Sequence, residues 1–416
     1  MAVSDPAVSG EARLRLCVLA PLPFLADGAR ALATTGGPVL YEALLPGLAA
    51  RGHRVRVLAE APPVVPGTAR AGLVWRQPGL AVDWFALEYR TGSRPPPPEW
   101  ARANGERLGR ILARAIRDER PDLVVLGRES QCWFAPERCR ELGLPTVLLA
   151  LGSPTFGLLD GIYPEPAARE LVARMREVDE IVALGPHLDA ILRHLGMARV
   201  AQIPNFADPE RFRPLPRAAR LLARLAIGPG QPVVGHLSSL RPRKRPLDLV
   251  HAAERLVSCH PDAVYLILGD GPDRADLERE VRRRGLAARF RFAGYVEPAE
   301  LPEHLGLCDV FVLPTEREGG FPIVCREAQA CGLPIVMSDV PTAREGIRDG
   351  ENGLLFPLGD AEALSACLAR LLGDAGLRRK LGDSARGDAD AGPTREGWVA
   401  RYEEVFRRAA ARRPAA

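Results

Sequence analysis

The sequence predicts an α/β protein made of two doubly wound, Rossmann-like domains. Three observations predict it. Short apolar runs of strand length alternate with longer stretches of helix length, the pattern of a parallel sheet covered on both faces. The alternation breaks once, in a Pro- and Arg-rich stretch near 206–230, and then restarts. The 416 residues are enough for two sizeable cores. The boundary is placed after Phe212, giving an N-terminal domain over 1–212, a C-terminal domain over 213–394 and a closing segment over 395–416.

In the first half the expected strands are Leu14 to Leu19, Val55 to Leu58, Leu123 to Leu126, Thr146 to Leu149 and Glu180 to Ala183. Helices are expected at Val39 to Arg51, stopped by Gly52-His53, and at Glu106 to Arg117, Pro136 to Leu142 and Ala167 to Arg176. Pro95 to Pro98 reads as a stiff loop, and Leu22 to Thr35 and Gly79 to Glu99 as irregular. In the second half, strands Val233 to Leu237, Val264 to Leu268 and Phe290 to Phe292 alternate with helices Pro246 to Val257 and Arg274 to Arg284, and a last helix covers Trp398 to Arg408.

Composition fits a globular enzyme: 47% hydrophobic and 26% charged residues argue against wholesale disorder. The net charge of +4 is spread evenly, so nucleic acid is not indicated. The cations are almost all arginine; lysine occurs only at 244 and 380. Eight cysteines without Cys-x-x-Cys spacing read as buried free thiols. With no basic leader before an apolar core and no run long enough to span a bilayer, a cytoplasmic location is expected, with peripheral membrane contact left open.

The densest chemistry lies between Cys308 and Asp339. A buried strand, Val310 to Leu313, leads through the loop Glu318-Gly319-Gly320-Phe321 into a helix opening at Pro322; Gly332 and Pro334 stop it before a strand over Ile335 to Met337. Loop amides and the positive end of the helix dipole then face the strand-edge crevice, where a phosphate fits. Glu318 in the loop and Glu327 on the second helical turn aim carboxylates at the same crevice, an arrangement suited to ligand hydroxyls. Upstream, Arg241, Arg243, Lys244 and Arg245 crowd the end of a strand and need solvent or an anion nearby. Gly269-Asp-Gly271 suits a backbone bending tightly beside a ligand.

These residues carry a resemblance to the retaining nucleotide-sugar glycosyltransferases of family four, which have the GT-B fold: two Rossmann-like domains facing across a cleft. Gly320-Phe321-Pro322 and Glu327 match the family's donor-site signature. Glu318 stands at the family's first glutamate, with a spacing one residue longer than usual. The resemblance implies that Glu327 holds the ribose, Glu318 contacts the donor sugar, and Lys244 with Arg241 or Arg243 binds the diphosphate. It also places amides near Gly319, Gly320, Phe321 and Pro322 on the sugar side, Val296 against the base, and the pair Gly36-Gly37 at the start of the first helix. Ile203-Pro204-Asn205 resembles the family's hinge, and the last helix resembles the one that crosses back to the N-terminal domain.

Two departures stand out. Ser239 occupies the place of the family's arginine, and Leu151 that of its N-terminal-domain histidine. The implied activity is metal-independent transfer of a sugar from a nucleoside diphosphate to an undetermined acceptor, the leaving phosphate taking the acceptor's proton; no cofactor beyond that donor is implied. The departures keep open a nucleotide-sugar-binding protein without transferase activity. An inverting transferase or epimerase would need an acid or base in the first domain, for which Glu129 is the candidate. His236, beside the basic loop, remains a candidate site residue. Asp388-Ala-Asp390 matches the Asp-x-Asp metal pattern only formally, in what reads as a polar, Gly-rich segment.

Overall fold

The computed structural model describes residues 12–20, 37–61, 76–77, 79–86 and 98–412. Gly36, the leader, the loop 22–35 and Pro95 to Pro97 lie outside the described residues. The chain divides into two compact units, one comprising 37–203 together with 12–20 and 395–412, the other 204–394.

The first unit runs β1 (Arg15–Ala20), α1 (Gly37–Ala50), β2 (Arg54–Ala61), β3 (Arg76–Gln77), β4 (Leu80–Ala86), α2 (Pro98–Glu119), β5 (Leu123–Leu126), α3 (Ala135–Glu141), β6 (Thr146–Ala150), α4 (Ser153–Leu159), α5 (Glu165–Arg176), β7 (Glu180–Ala183), α6 (Pro186–His194) and β8 (Val200–Gln202). Among the described residues its sheet has the order β3-β4-β2-β1-β5-β6-β7-β8, parallel except for β3. The run Leu80–Ala86, expected within an irregular loop, instead pairs in parallel with β2. The turn at Gly79 (φ 78°) ends just where that pairing starts.

The second unit runs α7 (Ala219–Arg224), β9 (Val233–Leu237), α8 (Pro246–Leu256), β10 (Val264–Leu268), α9 (Arg274–Arg283), β11 (Phe290–Gly294), α10 (Leu301–Leu305), β12 (Val310–Leu313), α11 (Ile323–Ala330), β13 (Ile335–Ser338), β14 (Gly353–Phe356), α12 (Ala361–Gly373) and α13 (Ala375–Asp390). Its strands are all parallel, in the order β11-β10-β9-β12-β13-β14. Period-two alternation sends Val264, Leu266 and Leu268 of β10 into one buried cluster and Tyr265 and Ile267 into the other, so both faces of the sheet are covered. At β9/β12 the order reverses, and the loops leaving those two strands open side by side.

The unit boundary falls between Ile203 and Pro204 rather than after Phe212. Phe212 is buried in the second unit's core, and Arg386 of α13 donates to its carbonyl at 2.9 Å. Asp388 and Asp390 lie on α13, where Asp388 pairs with Arg348 at 3.0 Å and Asn352 at 2.6 Å, and Asp390 with Arg386. None of the eight cysteines forms a disulfide, and six of them are buried. No helix among the described residues is long and apolar enough to cross a membrane.

The final helix, α14 (Arg395–Ala410), belongs to the first unit. Trp398, Tyr402 and Phe406 are fully buried on one face, against α1 and the strands β5 to β7. Polar contacts fix its register: the buried Glu403 carboxylate accepts from Arg51 Nε at 2.6 Å and Arg407 Nε at 3.1 Å, and lies 3.2 Å from His53 Nε2. The other ring nitrogen, Nδ1, accepts the Leu14 N–H at 3.0 Å. Burial favours the neutral form of Glu403, but hydrogen bonds from Arg407 and Arg51 and the charges of His53 and Arg51 outweigh it and hold the carboxyl below its ordinary range. Glu403→Ala is expected to destabilise the protein by about 1–3 kcal/mol, the cost of leaving buried donors unmatched; a urea midpoint equal to that of the parent would remove Glu403 from this role.

Candidate functional site

The site is built where β9 and β12 end. After β9 the chain makes a 3₁₀ turn over Pro242–Lys244 and enters α8 through Arg245, a non-glycine residue in the left-handed region (φ 43°, ψ 46°). Two bonds from the Arg245 guanidinium to Asp248, at 2.7 and 3.0 Å, accompany that conformation. After β12 the chain passes through Thr315 to Glu318 and reaches α11 at Pro322, whose extended backbone (φ −61°, ψ 139°) forms the helix N-cap. Glu316 N–H donates to Arg243 O at 2.9 Å and joins the two loops, while Thr315 N–H donates to Ser338 Oγ at 2.9 Å and ties the second loop to the end of β13.

This brings Lys244 and Glu318 into direct contact. The Lys244 ammonium donates to Glu318 Oε1, and both side chains are 11% exposed. Thr315 Oγ1 donates to the same oxygen at 2.7 Å. Burial favours the neutral Glu318, but the charges of Lys244 and Arg243 and the two hydrogen bonds prevail, and its carboxyl lies below the ordinary range. The basic run is therefore not a solvated loop: Lys244 is neutralised by Glu318, and Arg245 by Asp248 and Glu316. Arg241 and Arg243 flank the pair half-buried, Arg241 with its Nε enclosed and unbonded, and Ser239 is half-buried on the same loop.

The remaining candidates fall around this pair. Glu327 is buried on the second turn of α11, 5% exposed. Gly319 is half-buried and Gly320 buried. Phe321 is a core residue: its ring lies under the Arg326 guanidinium at 4.7 Å, and a Cβ on Gly346 would come within 2.5 Å of it. Its amide, expected to face a ligand, donates to Glu345 Oε2 at 3.1 Å, and its carbonyl accepts from Asn205 Nδ2 at 2.9 Å. Asn205 thus braces the signature loop, a role its linker-like surroundings in the sequence do not reveal. Val296 is half-buried against the core after β11, and Gly37 opens α1 in the other unit.

Gly269 and Gly271 have a packing reason. A Cβ on Gly269 (φ 106°) would lie 2.1 Å from Ser238 O, and one on Gly271 2.4 Å from Leu240 O, so the glycines let this turn lie against the basic loop. His236 is wholly buried, bonded to Val312 O at 3.0 Å and Ser238 Oγ at 2.8 Å. Burial pushes its pKa down to about 4, so it is a neutral core residue rather than a site group.

In the first unit, Leu151 follows β6 and its N–H donates to Glu129 Oε2 at 3.2 Å. Glu129 has no exposed surface; Gly152 N–H at 2.6 Å and Thr155 Oγ1 at 3.0 Å hold its other oxygen, and burial raises its pKa. This carboxylate braces the entry to α4 and is sealed from solvent, so Glu129 is not presented to a ligand as an acid or base.

Comparison with known proteins agrees with this architecture. Residues 34–211 match the model of Glycosyltransferase Family 4, and residues 219–388 that of Glycosyl transferases group 1. The 2-deoxystreptamine N-acetyl-D-glucosaminyltransferase of Streptomyces fradiae is 31% identical over 279 residues, covering 64% of this chain and 66% of the relative. A D-inositol 3-phosphate glycosyltransferase of Streptomyces bingchenggensis is 30% identical over 280 residues, covering 64% of this chain and 60% of the relative. The matches thus span less than two thirds of these relatives' length. Among solved structures, sucrose-phosphate synthase of Thermosynechococcus elongatus superposes with a TM-score of 0.78 at 21% identity, over 95% of this chain and 99% of that one. Anabaena HepE in complex with UDP-glucose superposes with a TM-score of 0.75 at 17% identity, over 96% of this chain and all of that one. These two show the fold.

Breaking the central pair has a calculable consequence. Lys244→Met strands the Glu318 carboxylate and is expected to cost about 3–5 kcal/mol of stability, the usual penalty for removing one member of a buried pair. Because the folded pKa of Glu318 is depressed, the pair's contribution is full above the ordinary carboxylate value of 4.5 and fades as pH falls through the depressed one. The parent and Lys244→Met should therefore converge in stability below that range, a prediction that denaturant titrations at pH 7 and in acid check directly.

Proposed function

Because the chain belongs to the family 4 glycosyltransferases of GT-B fold, we propose that it transfers a sugar from a nucleoside diphosphate to an acceptor with retention at the anomeric centre. The observation that carries this reading is the Lys244–Glu318 pair at the strand ends where the second sheet's order reverses, ahead of α11. In it, the second unit is the donor domain and the first the acceptor side. Glu327 takes the ribose hydroxyls, Lys244 with Arg241 or Arg243 takes the diphosphate, and Glu318 takes a hydroxyl of the sugar.

A largely buried ammonium that turns from Glu318 to the diphosphate stabilises the charge growing on the leaving group more strongly than it would in bulk water. The leaving phosphate accepts the acceptor's proton, so the route asks for no protein base, which suits a first unit whose Glu129 is sealed. The relatives named for 2-deoxystreptamine and inositol 3-phosphate direct the search for the acceptor toward small polyols. A second reading, a binder of nucleotide sugars without transfer, is favoured by one observation: Leu151, at the end of β6, offers no side-chain hydrogen bond there.

Thermal stabilisation across UDP-, GDP- and ADP-sugars identifies the donor, since a ligand bound only by the folded state raises Tm. Glu327→Ala should weaken the cognate nucleoside diphosphate by about 1–3 kcal/mol; an unchanged Kd would take Glu327 out of the site. Release of nucleoside diphosphate in the presence of candidate polyols separates the enzyme from the binder, and a product of inverted anomeric configuration would overturn retention.

A further inference from the structure

We propose that Thr315 is a positioning residue that locks one oxygen of Glu318 and so presents the other to a hydroxyl of the donor sugar. The proposal rests on the nucleotide-sugar reading above and deepens it.

Two donors converge on a single oxygen of this carboxylate. Thr315 Oγ1 donates to Oε1 at 2.7 Å, and the Lys244 ammonium donates to the same atom. Among the described residues no donor is bonded to Oε2. An ionised carboxylate accepts through both oxygens. Glu318 keeps 9% of its surface exposed, and Oε2 is not among the enclosed polar atoms that lack a partner, so the carboxylate retains an open edge that a ligand bringing a donor can meet. A phosphate brings none, whereas a sugar hydroxyl does, and it would arrive attached to the diphosphate that suits Lys244.

The two donors are not equivalent. Lys244 is a point charge on a flexible stem with three rotatable N–H groups, able to turn toward an arriving anion. Thr315 is β-branched and stiff, has no exposed surface, and is pinned by its own N–H to Ser338 Oγ at 2.9 Å. Its single hydroxyl proton has Glu318 as the nearest acceptor; the carbonyls of Arg243 and Arg317 lie farther away, at 3.3 and 3.5 Å. When Lys244 engages a diphosphate, Thr315 therefore continues to hold Oε1, and the direction in which Oε2 points survives ligand binding.

The test compares a nucleoside diphosphate with its sugar. Calorimetric titrations use UDP, GDP and ADP and their glucose and mannose conjugates, on the parent, Thr315→Val and Thr315→Ser. Thr315→Val is expected to weaken the nucleotide sugar about tenfold, the loss of one hydrogen bond to a charged group, while leaving the plain diphosphate within about twofold. Thr315→Ser should restore the sugar's affinity.

The acid limb of sugar binding should also move to higher pH in Thr315→Val, because removing a bond to the charged form raises the Glu318 pKa. The other groups facing Glu318, namely Lys244, Arg243 and the Cys325 thiol, are unchanged in that variant. If Thr315→Val does not fold, Thr315→Cys, with a weak donor in similar volume, carries the same comparison and should show a smaller, still sugar-selective loss. Equal losses for diphosphate and sugar, or no loss for either, overturn the positioning role and leave the donor assignment standing. A parent that binds none of the nine compounds overturns both.

Discussion

The pairing of β12 against β9 is the constraint on which the second unit depends. It sets the ends of two strands side by side at the point where the sheet reverses, so that a lysine and a glutamate 74 residues apart in the chain must share one buried place. Neither charge could be buried alone. Each loop is then fixed by the other: the 3₁₀ turn supplies the carbonyl that receives Glu316, and the glutamate supplies the counter-charge for the turn. The glycines at 269 and 271 clear the space in which that turn rests.

Much of the framework was legible in the sequence. Strands 123–126, 180–183, 233–237, 264–268 and 310–313 are observed at the expected bounds, because each is a short apolar run with turn or capping residues close by. The helix expected to start at Glu106 begins at Pro98, since proline at a first helical position reads equally as loop or cap. β14, α12 and α13 complete the second unit beyond the elements expected from the sequence.

The site was legible by residue type and not by contact. Motif spacing singles out Lys244, Glu318 and Glu327, but nothing in a one-dimensional pattern says that the cluster of cations finds its anions within the chain. Thr315 is silent in the sequence for the same reason: a threonine after a buried strand reads as a strand end, and only the fold sets its hydroxyl on Glu318. Phe321 misled in the opposite direction, since its amide and carbonyl are both committed to the protein's own side chains. His236, attractive beside so much charge, turned out to be ordinary core.

The terminal helix has a consequence in time as well as in space. Trp398, Tyr402 and Phe406 belong to the interior of the unit that contains the chain's earliest strands. During synthesis from the N-terminus, the second unit has all of its residues by 394, while the first still lacks a wall of its core until 395–410 emerge. The half that is translated first is therefore the half that matures last. Until α14 docks, a nascent or C-terminally clipped chain exposes the apolar faces of α1 and the central strands, and these are the surfaces a holding chaperone or a protease would meet.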